Sequence, residues 1–207
     1  IKLEPNYALA YNNRGLAKDF LGDSKGAIKD YTKAIKLEPN YALAYNNRGL
    51  AKYDLEDYKD AISDYNKSIK IDPKNAIFYS HRGNAKIFLK DYRGALKDYK
   101  QSIELNPNYS TPYTGIAQVK YLTKDFNGAI KDSRKALTFN PENYSALSTL
   151  GRSQYAIGEK TDACSNLKKA VSIGNNNLSD YRFDYLQQNT KYYLASKEGA
   201  WCRNMLD

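Results

Sequence analysis

A chain of 207 residues suffices for one large domain or an array of small units, and 27% charged residues with a mean hydropathy of −0.75 describe a very soluble polypeptide. No stretch approaches the roughly 18 to 20 consecutive apolar residues of a membrane-spanning helix, and one His with two distant Cys cannot supply a zinc site of the usual kind or staple a secreted mini-domain. The net charge of +9, from 32 Lys+Arg against 23 Asp+Glu, points on its own to nucleic acid, an anionic membrane or an acidic peptide, so where that charge sits becomes the question.

The chain opens at Ile1 with no charged-then-apolar leader. Residues 1–7 read as the end of a preceding repeat, because residues 1–18 are identical to residues 35–52. Five units of 34 residues follow, at 8–41, 42–75, 76–109, 110–143 and 144–177, each expected to fold as two amphipathic helices. Pro5, Pro39, Pro73, Pro107 and Pro141 mark the period, as do the small residues Gly15, Gly49, Gly83, Ala117 and Gly151. Ala27, Ala61, Ala95, Ala129 and Ala163 keep the same register, and Tyr31, Tyr65 and Tyr99 form a later aromatic row. In unit 42–75 the spacing predicts helices from Ala42 to about Leu55 and from Tyr58 to about Ile71, the second stopped by Asp72-Pro73. No window pairs β-branched alternation with hairpin chemistry, so the expected class is all-α. The last unit departs from the pattern with Leu147, Leu167 and Asn175 where others carry Tyr, Tyr and Pro, and residues 178–207 read as a capping segment or helix.

This 34-residue pattern of small residues and a closing proline resembles the tetratricopeptide repeat (TPR) family over residues 1–177. The resemblance implies a right-handed α-solenoid of antiparallel helix pairs, in which first helices line a concave groove and second helices form the convex back. Inner-face positions would then be Leu9, Asn12, Asn13 and Leu16 in the first unit, and Leu43, Asn46, Asn47, Leu50 and Tyr53 in the second. Ile77, Ser80, His81 and Asn84 follow in the third, then Thr111, Thr114, Gln118 and Tyr121, and finally Ser145, Ser148, Thr149, Arg152 and Tyr155. Asn13 and Asn47 match the asparagine ladder with which peptide-binding members hold an extended backbone, and the match lapses at His81, Gly115 and Thr149. The family's clamp for chaperone C-terminal carboxylates needs Lys and Arg at positions that here carry Asn12 and Asn46, or Leu9, Leu43 and Ile77, so that mode is not expected.

Other residue rows have competing readings. Arg14, Arg48 and Arg82 precede Asp30, Asp64 and Asp98 by sixteen residues, which suits pairing of the two helices in a unit better than catalysis. Leu150 and Asn166 replace both partners together, and Ile116 beside Asp132 is the exception. Lys18, Lys52, Lys86 and Lys120 could form a basic ladder for an acidic peptide, or cover apolar surface with their stems. The basic excess is spread over the units as +2, 0, +3, +2 and +2, and on the second helices it is mixed with acids, so solvated helix faces explain it better than a nucleic-acid site. Cys164 and Cys202 are read first as free buried thiols, with a disulfide as the alternative in an oxidising compartment.

These rows lead to a non-catalytic adaptor that binds a peptide or protein segment in its groove, with no cofactor, no metal and no membrane insertion. The leading end could also self-associate. A soluble, cytoplasmic protein is expected. The rival readings are the regulatory solenoid of a larger enzyme, or a solenoid that binds RNA or another polyanion.

Overall fold

Within each 34-residue period the apolar residues recur at helical spacing, and proline and turn residues divide the period in two. The computed structural model, which describes residues 7–176 and residue 202, accordingly contains helices and no strand among the described residues. The first helices of the pairs are α1 (Ala8–Phe20), α3 (Ala42–Asp54), α5 (Ala76–Phe88), α7 (Ser110–Leu122) and α9 (Tyr144–Ala156). Their partners are α2 (Ser24–Leu37), α4 (Tyr58–Ile71), α6 (Tyr92–Leu105), α8 (Phe126–Phe139) and α10 (Lys160–Asn176). This is the all-α architecture of paired helices expected of a solenoid. The chain divides into two compact units, 1–107 with α1 to α6 and 108–207 with α7 to α10. The proposed capping segment lies outside the described residues except for Cys202, as does the stretch before Tyr7.

Each turn between partners contains one residue at positive φ: Gly22 at 82°, Glu56 at 62°, Lys90 at 60°, Lys124 at 65° and Gly158 at 91°. Three side-chain-bearing residues therefore occupy a left-handed position that favours glycine. The next residue caps the second helix in three pairs, where Asp23, Asp91 and Asp125 accept from the backbone N–H of Gly26, Gly94 and Gly128 at 2.8 to 2.9 Å. Asp57 makes no such bond; the third residue of its helix is Asp60, a like charge in place of glycine. At the far end α2, α4, α6 and α8 stop two residues before a proline, each after 14 residues. α10 has Asn175 where that proline would fall and runs for 17 residues.

Four of the five helix pairs close on a glycine facing a large residue. A Cβ on Gly15, Gly49 or Gly83 would stand 2.6 to 2.7 Å from a ring carbon of Tyr31, Tyr65 or Tyr99, and those three rings are fully buried. In the fourth pair both sides change together, with Ala117 and Ser133, each buried. In the fifth, Gly151 faces Leu167. A residue with a Cβ thus stands at this contact only where the ring opposite it is gone, since a Cβ against a buried ring would overpack the contact.

A candidate partner-binding face on the first helices

The charged residues of the first helices point to their own partners. Arg48 donates from Nε and Nη2 to the two carboxylate oxygens of Asp64 at 2.9 and 2.6 Å, and Lys52 Nζ reaches Asp64 Oδ2 at 2.8 Å. The same clasp joins Arg14 and Lys18 to Asp30, and Arg82 and Lys86 to Asp98. All three carboxylates are buried. Burial pushes the Asp30 carboxyl up, but hydrogen bonds from Arg14 and Lys18 outweigh it and hold it below the ordinary carboxylate range. The bond to Asp30 raises Arg14 in turn. Arg48 and Arg82 also donate back to the preceding second helix, to Thr32 Oγ1 at 3.1 Å and Asn66 Oδ1 at 2.7 Å, so each ties three helices together.

This geometry supports the sequence reading of the Arg and Asp rows and corrects both readings of the Lys row. Lys18, Lys52, Lys86 and Lys120 neither offer a basic ladder to a ligand nor merely cover apolar surface; each holds its own unit's aspartate at 2.7 to 2.8 Å. Lys120 bonded to Asp132 at 2.7 Å also explains why Asp132 persists beside Ile116. In the fifth pair the same register is neutral, with Asn166 donating to Gln154 Oε1 at 2.7 Å.

The predicted inner-face residues of the first unit sort into three groups. Exposed are Leu9, Asn13, Leu16, Leu43 and Ile77, with Leu43 at 48% and Ile77 at 43%. Half-buried between them lie Asn47, Leu50, Tyr53, His81 and Asn84. Buried, against the expectation of a free polar groove, are Asn12, Asn46 and Ser80. Asn12 and Asn46 are spent on joining the helices: Asn47 Nδ2 donates to Asn12 Oδ1 at 3.1 Å, and Asn46 Oδ1 meets His81 Nδ1 at 2.8 Å. Links between chain neighbours run from Asn12 Nδ2 to Asn13 Oδ1 and from Asn46 Nδ2 to Asn47 Oδ1 at 3.5 and 3.3 Å. The asparagine ladder is thus first of all a hydrogen-bonded chain across α1, α3 and α5. Asn84 accepts from the buried Tyr99 hydroxyl at 2.7 Å, whose ionisation burial pushes well up. Tyr53 packs edge-on against Tyr58 and Phe88, at 5.3 and 5.4 Å between ring centres.

What remains on α1, α3 and α5 is a striped face. An apolar row of Leu9, Leu43 and Ile77 flanks the row of Asn13, Asn47 and His81, with Leu16 and Leu50 on its other side. In the second unit the expected polar half of the groove is largely closed. Thr114, Ser145, Ser148 and Thr149 are buried, and Thr111, Gln118, Tyr121, Arg152 and Tyr155 are half-buried. Small hydroxyl residues allow α7 and α9 to approach, and Asn143 Nδ2 bonds Ser110 and Thr114 at 2.9 and 3.0 Å. Arg152 lies over the Tyr121 ring at 5.0 Å.

The tetratricopeptide repeat profile matches residues 42–75 and 76–109, and a second TPR repeat profile matches residues 21–55. Residues 21–109 belong to the tetratricopeptide repeat family. Among solved structures the chain is similar to TTC0263, a thermophilic TPR protein in Thermus thermophilus, at 17% identity and a TM-score of 0.74, over 92% of this chain and 100% of that one. It is also similar to MamA, at 25% identity and a TM-score of 0.63 over 82% and 93%. A third likeness is to the first TPR of Spaghetti (RPAP3) bound to the HSP90 peptide SRMEEVD, at 27% identity and a TM-score of 0.56 over 60% and 98%. No curated protein matches the sequence.

Cys164 and Cys202 form a disulfide with their Cα atoms 5.2 Å apart, which corrects the preference for free thiols. Both are buried. Sequence could place Cys164 in the core row of Ile28, Ile62, Leu96 and Ile130, but not the approach of a residue 38 positions away. No helix of the described residues is long and apolar enough to cross a membrane, and no cluster of three metal-ligating side chains occurs among them.

Proposed function

We propose that this chain is a non-catalytic interaction scaffold whose first unit binds an extended protein segment bearing apolar side chains. The observation that carries the reading is the exposed row of Leu9, Leu43 and Ile77 beside Asn13, Asn47 and His81. An amide offers two donor hydrogens and two acceptor lone pairs; Asn47 spends one of each within the protein and so keeps capacity for a bound backbone. Apolar side chains of the guest would bury against the leucine row while the amides hold its main chain. The similar RPAP3 structure carries an acidic HSP90 peptide. In this chain the first-helix cations that could read such acids already hold Asp30, Asp64 and Asp98, and an apolar guest suits the face better.

Selection of random twelve-residue peptides on the immobilised chain tests this. Peptides rich in Leu, Ile, Val or aromatic residues are expected, and Leu43→Asp should abolish their capture while leaving the helical signal intact. Enrichment of acidic runs, or capture indifferent to Leu43→Asp, would count against it.

A further inference from the structure

The second helices of the first unit carry a surface whose charge the sequence conceals. Along α2, Lys25, Lys29, Lys33 and Lys36 fall at i, i+4, i+8 and i+11, within one ~80° arc of a helix that turns about 100° per residue. The 34-residue register repeats three of these on α4 as Lys59, Lys67 and Lys70, and two on α6 as Arg93 and Lys97, joined there by Lys100. All of these cations are exposed. The sequence mixes them with acids, but Asp30, Asp64 and Asp98 are buried and held by first-helix cations. Only Asp60 and Glu104 remain as exposed acids within α2, α4 and α6, and the exposed Asp23, Glu38, Asp57 and Asp91 lie at their ends. Ten cations against five acids along these helices become ten against two at the surface, so the face is more basic on the molecule than in the sequence.

We infer that this face binds double-stranded nucleic acid through the phosphate backbone, without reading sequence. The charge is complementary to a duplex, whose two strands present about one negative charge per 1.7 Å of axis. Sequence-independent binding needs no more than such cations, since phosphate neutralisation with counterion release supplies essentially all of it. Single strands are less suited, because their binding uses exposed aromatic stacking platforms, whereas Tyr31, Tyr65 and Tyr99 of these helices are buried and Tyr58 and Tyr92, at the starts of α4 and α6, are half-buried. An anionic bilayer is also less suited: stable anchoring takes a second, apolar signal, and the exposed large hydrophobics of this unit lie on first helices and turns rather than on α2, α4 or α6. The inference concerns a face separate from the peptide-binding stripe and stands or falls independently of it.

The test is fluorescence anisotropy of the full chain with a mixed-sequence 24-base-pair DNA duplex, titrated between low and moderate salt. Binding is expected at low salt, with a log–log salt slope of about −5 if roughly six phosphates are neutralised. Replacing Lys29, Lys67, Lys97 and Lys100 together by Gln should weaken binding at least tenfold and flatten the slope by about three to four. Leu43→Asp should leave duplex binding unchanged. The wild-type salt slope needs no variant and stands even should the quadruple variant misfold. Absence of duplex binding at low salt would overturn the inference, as would a fourfold-substituted chain that is folded and binds undiminished. Tighter binding to the matching single strand, to phosphatidylserine vesicles or to polyglutamate would overturn it as well.

Discussion

The two compact units solve the same packing problem with different chemistry. In the first, every helix pair buries one carboxylate between an arginine and a lysine and sets a glycine against a tyrosine ring. In the second, the clasp fades to a single Lys120–Asp132 pair and then to a neutral Gln154–Asn166 bond, while a disulfide joins α10 to Cys202. The difference teaches that the steric contact changes on both sides at once, whereas the clasp can lose one cation and keep its aspartate. Where glycine becomes Ala117 the tyrosine becomes Ser133, whereas the fourth pair loses only its arginine and the fifth lacks both cations and the aspartate. It also bears on the proposed site: clasping Arg and Lys leaves the stripe on α1, α3 and α5 to Leu9, Leu43, Ile77, Asn13 and Asn47, whereas the small hydroxyl residues of the second unit are buried at the equivalent positions.

The largest expected effect breaks the contrast from the second unit. Reducing Cys164–Cys202 reopens a closure of 38 residues, worth about 4 kcal/mol in the chain-entropy account. A reductant should therefore lower the melting transition of the second unit and leave that of the first in place, and mass measurement without reductant should show two hydrogens fewer than the free-thiol chain. A single transition that ignores reductant would contradict it.

Next comes the clasp. Asp64→Asn leaves Arg48 and Lys52 without their shared carboxylate and should cost about 3 kcal/mol in urea unfolding, against about 1 kcal/mol for Asp132→Asn, whose side chain is more exposed and serves one cation. Equal losses at the two sites would erase the distinction between units. Acid probes the same device. The Asp30 carboxyl is held below its ordinary value, so the stability it contributes is present above the unfolded carboxylate pKa, about 3.9, and is lost as pH falls through the lower folded value. Asp30→Asn should flatten that acid limb.

Smaller still is the glycine contact. Gly49→Ala puts a Cβ against the buried Tyr65 ring and should cost about 2 kcal/mol, a penalty that disappears when Tyr65 is already Ser, as the Ala117/Ser133 pair implies. The smallest effect is a gain: Lys90→Gly relieves a left-handed φ of 60° and should raise stability by about 1 kcal/mol, whereas the same swap at a right-handed surface position would lower it.

Much of this was legible in the chain because it is periodic. The 34-residue spacing of the prolines and small residues gave the paired helices, and the sixteen-residue offset between Arg and Asp indicated their pairing. Three things were not legible, each for a physical reason. The Lys row lost its partner to Arg on paper, since one aspartate seemed taken, yet a carboxylate has two oxygens and serves both. Asn12 and Asn46 sit at inner-face register but turn into hydrogen bonds with the next first helix, a contact between residues 35 apart. Burial of the second-helix aspartates raises the basic excess of an entire face, and no count of charges along the chain reports burial.

Hydrogen–deuterium exchange of the full chain, alone and saturated with a selected peptide, tests the central claim most directly. Slowed exchange in α1, α3 and α5, with α9 unchanged, is the predicted result. Protection confined to α2, α4 and α6, or to the second unit, would contradict it.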